Sequence, residues 1–198
     1  MRIILVSILS LFLVSMSNIN AEKVAVVHIQ KLKKGVLLVR LHTQDALIEK
    51  MKYYHRDLER KNKLIEIKEN NMATYVAFNS AYKFSELRFF YSRDSKKVRD
   101  GDFDHLFLNS DLEVDTSIRI DPKAPIYILD VGDIYFPNMS GHQEGVIVMD
   151  KNFEPLKKPF PYYVRKRSGM AIIKRTDLDI AIVLNEKMET FYEKSLHP

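Results

Sequence analysis

Cysteine and tryptophan are missing from the 198 residues of this chain. Without cysteine, the protein has no disulfide bond, no thiol nucleophile, no thiolate zinc or iron–sulfur site and no cysteine-borne lipid anchor. Glycine and proline are scarce, at 6 and 7 residues, which excludes a collagen-like or linker-dominated protein. The 46% hydrophobic and 11% aromatic content instead provides the apolar surface that a globular domain with a buried core requires.

The first residues are typical of an export signal. A short basic start precedes an uncharged apolar run over Ile3–Val14, which has the length of a signal-peptide core and is shorter than the roughly 20 residues of a membrane-spanning helix. Small residues offer two cleavage sites, one after Ser17 and one after Ala21, and we favour the site after Ala21. We therefore expect a signal peptide over residues 1–21 and a single exported domain over residues 22–198, periplasmic or extracellular. An uncleaved anchor or a buried N-terminal strand is the alternative.

The net charge is small, and the charges are mixed in sign along the chain. Lysine and arginine number 31 against 26 acidic residues, which gives a net charge of +5. Nucleic-acid-binding proteins usually cluster their positive charge on one face, so we predict no nucleic-acid partner. No later stretch reaches membrane-spanning length, so we also expect a soluble mature chain without stable membrane insertion. The expected partner is a small molecule or an envelope component.

Breaker residues divide the chain into two halves. No glycine occurs between Gly35 and Gly101, and no proline precedes Pro122, so the first half should be continuous secondary structure. Apolar runs there predict strands over Val24–Ile29, Val36–Leu41 and Leu87–Ser92, a basic turn over Gln30–Gly35, and a helical region from Thr43 to about Lys83. Thr43 is the predicted N-cap of that helical region. The helical region lies between two predicted strands and is therefore the crossover of a βαβ unit.

The helical region carries an apolar stripe at helical spacing, which predicts the side that faces the core. That stripe comprises Leu47, Met51, Tyr54 and Leu58, and then Ile65, Met72, Val76 and Tyr82. The region is either one long helix or two helices that break near Asn70-Asn71.

Turn signals punctuate the second half. They separate predicted strands over Ile126–Val131 and Gly145–Met149, an edge strand over Tyr162–Arg165, and a final helix that Thr176 caps. The segment Lys157–Arg167 interleaves aromatic and basic residues, which either bind a sugar or an anionic partner or cover the core beside an exposed sheet edge. Together the elements predict a single α/β domain with a mixed β-sheet of about five strands, a βαβ unit, one long helix and a C-terminal helix.

Familiar catalytic and metal motifs are absent from the sequence. Asp100, Asp102 and Asp104 are spaced like calcium ligands, but His105 stands where the calcium loop needs glycine, so we interpret the segment as a solvated turn. The six histidines have no metal-ligand spacing, and no nucleophile elbow, P-loop or dinucleotide fingerprint occurs. We expect no cofactor and no metal, and whether the protein is an enzyme stays open.

Three sequence strings carry a resemblance. VLLVRLHTQ before a charged helix, LRFFYSRDS, and PFPYYVR near the end, together with the export signal, resemble a family of uncharacterised exported bacterial proteins over most of the mature chain. The resemblance implies a shared fold and export, and no activity. The element order β-α-β followed by β-β-α is also similar to the thioredoxin-like topology, although a chain without cysteine has no dithiol chemistry.

The carboxyl ends of the predicted strands define a candidate site. His42 and Thr43 follow one strand, Arg93 and Asp94 follow another, and Asp130 lies near the end of a third. Ligands of open α/β sheets bind beyond these ends, so these residues are candidates for binding a small anion or for acid–base work. The alternative is that they only satisfy loop backbone groups. We therefore predict an exported envelope binding or structural module without redox chemistry, or alternatively a divergent hydrolase or transferase.

The export signal predicts the N-terminus of the mature protein. Expressed in a bacterial host, the protein recovered from the envelope should begin at Glu22 by N-terminal sequencing. Leu9→Arg should retain the full-length chain in the cytoplasm, because a charge interrupts the apolar core of the signal, whereas Ser10→Thr should be processed normally. An envelope protein that still begins at Met1 would contradict the prediction.

Overall fold

The computed structural model describes residues 20–135, 142–168 and 173–197. The helices are α1 (residues 20–33), α2 (Asp45–Tyr53), α3 (Asp57–Ala81), α4 (Ser95–Asp100) and α5 (Asp177–Ser195), with a short 3-10 helix over Ser92–Asp94. The strands are β1 (Val36–Leu41), β2 (Glu86–Tyr91), β3 (Ile126–Tyr135), β4 (His142–Met149), β5 (Tyr163–Arg165), β6 (Arg167–Ser168) and β7 (Ile173–Lys174). The apolar run of the predicted export signal lies outside the described residues. Among those described, no helix is long and apolar enough to cross a membrane.

Strand β1 lies inside a five-stranded mixed sheet with the order β2-β1-β3-β4-β5. It pairs in parallel with β2 on one side and with β3 on the other, while β3–β4 and β4–β5 are antiparallel. Strands β6 and β7 form a separate two-stranded ribbon. The predicted α/β class, the five-stranded mixed sheet, the strand–helix–strand unit and the C-terminal helix are thus confirmed.

Both faces of the sheet are covered, so β1 is apolar on both sides. Leu37 and Val39 pack into a core layer built by α1, α3 and α5, whereas Val36 and Leu38 pack beneath α4 and the loop that follows it. A strand that is buried on two faces must be apolar at every position, whereas a strand with one buried face is apolar only at every second position. The uninterrupted run of β1 therefore reflects its central place in the sheet.

The strand predicted over Val24–Ile29 is wrong, because these residues belong to helix α1. The helical spacing of Ala25, Ile29 and Leu32 buries all three, whereas Val24 remains 50% exposed. The run of valines favoured a strand, but packing of one helical face against the sheet outweighed that weak local preference. Helix α1 continues to residue 33, so only residues 34–35 of the turn predicted over Gln30–Gly35 form a turn.

The helical region after β1 is confirmed, but its boundaries differ from the prediction. The break between α2 and α3 falls at residues 54–56, where His55 takes a left-handed backbone conformation with φ of 54°. Asn70-Asn71 lies within α3. The N-cap of α2 is Gln44, not Thr43, whose hydroxyl donates to the Asp45 carboxylate at 2.7 Å.

The core-facing side of α3 also differs from the predicted stripe. Leu58, Ile65 and Val76 are 73%, 49% and 56% exposed. The buried residues of α3 are Ile67, Asn71, Thr74, Ala77 and Phe78. Two polar residues stand in the middle of this buried face, which lowered its apolar periodicity in the sequence and made the opposite side look like the core side.

In the second half, the predicted strands and the final helix are present, but β3 and β4 are four and three residues longer than predicted, and the β6–β7 ribbon is not among the predicted elements. Thr176 caps α5 in a reciprocal capping box, in which its hydroxyl accepts from the Asp179 amide and the Asp179 carboxylate accepts from the Thr176 amide. In the aromatic and basic segment, Phe160 is buried in the core beside the edge strand β5. The acidic segment makes a local turn, since the Asp102 carboxylate accepts from the Asp104 amide.

The orientation of α3 predicts that two neighbouring substitutions differ strongly in their effect on stability. Phe78→Ala should lower the free energy of unfolding by about 3–5 kcal/mol, because it opens a cavity in the core. Val76→Ala should change that free energy by at most about 0.5 kcal/mol, because the side chain is largely exposed. Denaturant unfolding measures both. Equal losses, or a larger loss for Val76→Ala, would mean that α3 faces the sheet with its other side.

Candidate functional site

A cleft of 740 Å³ opens beyond the carboxyl end of β1. Strand β3 continues past the last residue that pairs with β1, and together with β4 it forms the floor. The walls come from α3, β7 and the first turns of α5. In open α/β sheets, such a crevice forms where the connections of neighbouring parallel strands leave to opposite faces, and ligands bind there. We call this cavity the switch-point cleft.

Two glycines lie opposite each other in the floor of the switch-point cleft. Gly132 of β3 pairs with Gly145 of β4. A Cβ on Gly145 would stand 2.4 Å from the Val164 carbonyl oxygen, and a Cβ on Gly132 would lie 3.9 Å from His42 Nε2. Strand β5 therefore approaches β4 too closely for a side chain at Gly145, and the floor carries no side chains at these two positions.

A histidine, a carboxylate and a guanidinium meet at the mouth of the switch-point cleft. His42 Nε2 lies 2.9 Å from Asp130 Oδ1, and Arg40 Nη1 donates to the same carboxylate at 3.3 and 3.4 Å. Arg40 and Asp130 are register partners on the parallel strands β1 and β3, which brings their side chains to the same face. Arg40 Nε donates in turn to Ser95 Oγ at 3.0 Å, which fixes the guanidinium.

This arrangement determines the hydrogen-bonding state of His42. A carboxylate only accepts hydrogen bonds, so Nε2 donates to Asp130, and Nδ1 is an acceptor whenever the ring carries only that one proton. Among the described residues, none hydrogen-bonds Nδ1. Asp130 orients the ring, and the His42 side chain is 40% exposed, so a ligand can still reach it. A histidine held in this way is suited to binding a donor or to moving a proton.

Buried polar side chains of α3 form the inner wall. Asn71 is 8% exposed, and its Nδ2 donates to the His42 carbonyl at 3.0 Å. Thr74 is 6% exposed, and its hydroxyl donates to Asp177 Oδ2 at 2.9 Å. Lys166 Nζ donates to the other oxygen of Asp177 at 3.3 Å. Helix α3 is thus fixed to the ends of β1 and α5 by hydrogen bonds and not only by apolar packing.

Charges of both signs surround the opening. Lys174 Nζ lies 3.2 Å from Glu144 Oε2, and this ammonium holds the pKa of the Glu144 carboxyl below its ordinary value. The cationic lining residues are Arg40, Lys166 and Lys174, and the acidic ones are Glu66, Asp133, Glu144 and Asp177. Neither sign dominates, so the lining fits a polar or zwitterionic molecule better than a strongly charged anion.

The structure divides the five candidate residues into two groups. His42 lines the switch-point cleft and contacts Asp130, which lies directly behind it and is not itself a lining residue. The Thr43 amide donates to Ser92 Oγ at 3.0 Å, and Thr43 is not a lining residue of the cleft. Arg93 and Asp94 form the 3-10 helix after β2 and are not among the cleft-lining residues; the Arg93 guanidinium lies 4.8 Å from the centre of the Tyr91 ring.

Sequence reasoning missed most of the lining. Arg40 carried a signal, because it is the one charged residue in an otherwise apolar strand. Asn71 and Thr74 also carried one, since two polar residues at helical spacing within a long helix are unusual on a buried face. Lys166 and Asp177 carried none, because chain folding alone brings them to the cleft.

A second cavity of 380 Å³ lies beside α1 and has mainly apolar walls, including Val24, Ala25 and Leu156. His28 Nδ1 and the Tyr127 hydroxyl hydrogen-bond at 2.9 Å next to it. Burial lowers the pKa of His28 and raises the pKa of Tyr127 to about 12, so both groups are neutral near pH 7. We interpret this pair as a satisfied contact of the core edge.

Known proteins and metal chemistry give no further assignment. A search against protein-family models, curated proteins and solved structures found no match to the chain. Within the described residues, no three metal-ligating side chains come together. The functional interpretation therefore depends on the switch-point cleft.

Proposed function

We propose that this protein is an exported binding module of the cell envelope, without redox chemistry, that holds a small polar molecule in the switch-point cleft. The observation that carries the proposal is the position of Asn71 and Thr74. Both are buried polar residues on the core side of α3, and both hydrogen-bond to the backbone or side chains that line the cleft. Apolar residues at these places would pack against the sheet without needing partners, so their polarity serves to fix the walls of the cleft, as a preformed binding site requires.

The lining chemistry defines the ligand class. His42 Nδ1 offers an acceptor, Lys166 and Lys174 offer donors, and Glu144 and Asp177 offer acceptors, all around one opening. A small molecule with several hydroxyl or amide groups, or with one amino and one acidic group, would satisfy such a mixed set. Amino acids and amino sugars belong to this class.

Thermal unfolding of the purified protein tests the proposal. Amino acids, amino sugars, other envelope glycans, nucleotides and divalent metals are screened in separate wells. A ligand at 100 times its Kd adds about 2.7 kcal/mol of stability. For a chain of this size that corresponds to a Tm increase of about 5–10 °C. We expect such a shift for at least one small polar compound.

Two asparagine variants locate the binding. Asn70 is exposed and lines the switch-point cleft, so Asn70→Trp should fill the opening and abolish the ligand-induced Tm shift. Asn62 is also exposed on α3 but does not line the cleft, so Asn62→Trp should keep the shift. A shift that survives Asn70→Trp, or the absence of a shift with every compound, would contradict binding in this cleft.

A hydrolase or transferase is the second candidate, and the His42–Asp130 contact favours it. A histidine oriented by a carboxylate is a common general base, and the partly exposed ring of His42 has its second nitrogen, Nδ1, for taking a proton from water or from a substrate hydroxyl. Incubation of each stabilising compound with the protein, followed by mass spectrometry, separates the two functions. Product formation that His42→Gln abolishes, while the Tm shift remains, would support the enzyme. Compounds that bind and stay unchanged support the binding module.

A further inference from the structure

An exposed apolar and basic surface lies at the junction of α2 and α3. We call residues 47–65 the α2–α3 elbow; it comprises most of α2, the break at residues 54–56 and the first turns of α3. Its exposed apolar residues are Leu47, Tyr53, Tyr54, Leu58, Leu64 and Ile65. None of the nine residues of α2, all of which the structure describes, is buried. The apolar side chains of the elbow therefore do not contribute to the core.

The tip of the elbow is its most exposed part. Tyr53 is 77% exposed, Tyr54 59% and Leu58 73%. The two tyrosine rings contact each other edge to face, with their centres 5.1 Å apart. Single exposed apolar residues are common on protein surfaces, but three large ones grouped within six residues form a patch that indicates an interaction site.

Positive charge surrounds this tip. The elbow contains six lysines and arginines against three acidic residues. Asp57 and Glu59 are each neutralised by an arginine, through ion pairs to Arg60 and Arg56. Lys63 pairs with Glu66, so the charges that remain are the cations Lys50, Lys52 and Lys61 against the single carboxylate of Glu49, none of them in an ion pair with a described residue, which leaves a positive surplus of two. The partner that this surface fits is therefore negatively charged and able to accept apolar side chains.

We propose that the α2–α3 elbow docks the protein on the surface of an anionic phospholipid bilayer. Tyrosine is enriched at the level of the lipid headgroups, where its ring is in contact with acyl chains and its hydroxyl with water. Lysines next to an amphipathic segment are attracted to anionic headgroups. Tyr53, Tyr54 and Leu58 enter the interface, and Lys50, Lys52 and Lys61 contact the phosphates.

Charge argues against a second copy of the chain as the partner. A symmetric dimer through the elbow would bring the same patch of both copies together, so the surplus lysines would face each other. Like charges in such contact oppose association. The docking concerns a different surface from the switch-point cleft, so each proposal stands or fails independently.

Sedimentation with lipid vesicles tests the docking. The mature protein, recovered from the envelope, is mixed with phosphatidylcholine vesicles that either contain or lack phosphatidylglycerol, at low and at high salt. We expect the protein to sediment with the anionic vesicles at low salt, to bind less at high salt because exposed charges are screened, and to remain in solution with pure phosphatidylcholine. Equal binding to both lipids would overturn the proposal.

Variants of the elbow separate the apolar and the electrostatic contributions. The triple variant Lys50→Gln, Lys52→Gln and Lys61→Gln should weaken binding about a hundredfold, because each lysine near an anionic surface contributes roughly a factor of five. The triple variant Tyr53→Ser, Tyr54→Ser and Leu58→Ser should abolish sedimentation at low salt. All six side chains are exposed, so the Tm should be unchanged.

Two control variants match these changes elsewhere on the surface. Leu178→Ser with Ile182→Ser removes apolar residues of α5 that are 45% and 40% exposed, and Lys96→Gln with Lys123→Gln and Lys151→Gln removes the same number of lysines. Both controls should bind like the natural protein. Equal losses in the controls, or full binding by the elbow variants, would overturn the proposal. A dimer in size-exclusion chromatography that the serine variant alone dissociates would also overturn it, in favour of self-association.

Discussion

The parallel pairing of β1 with both of its neighbours is the constraint on which the rest of the structure depends. Parallel neighbours require crossover connections, and these cover the two faces of the sheet with α3 on one side and with α4 and its following loop on the other. The connection after β1 leaves toward α3, whereas β3 runs on into its hairpin with β4, and a crevice opens between them at the carboxyl end of β1. His42 is the first residue after that end, and the register of β3 places Asp130 beside it. The candidate site follows from strand pairing.

Helix α3 shows how the site and the core share one element. Phe78 fills the apolar layer, whereas Thr74 and Asn71, about one and two turns earlier on the same face, hydrogen-bond to the groups around the switch-point cleft. A buried polar side chain needs its partners, because leaving one unpaired costs about 1–3 kcal/mol. These residues therefore hold α3, β1 and α5 in fixed relative positions around the cleft. The opposite side of the helix is free to carry other functions, and its first turns belong to the α2–α3 elbow.

The sequence predicted the elements whose local and tertiary preferences agree. The apolar run of β1 is typical of a strand buried on two faces, and Thr176 with Asp179 forms the capping box of α5. Prediction failed where packing outweighed local preference. The valines of α1 resemble a strand, and the apolar stripe through Leu58 and Ile65 resembles a core face although both residues are exposed. For the site, strand ends pointed to His42 and Asp130, but Lys166 and Asp177 reach the cleft only through folding.

Native-state hydrogen exchange tests the central position of β1 most directly. The amides of a strand that is paired on both sides and buried on both faces open only when the whole domain unfolds, so their exchange reports the global free energy of unfolding. We expect the amides of Val36–Leu41, together with those of the first half of β3, which also pairs on both sides, to be the slowest in the protein. Slow exchange confined to α3 and α5, with fast exchange throughout β1 and β3, would contradict a fold and a cleft organised by the parallel centre of this sheet.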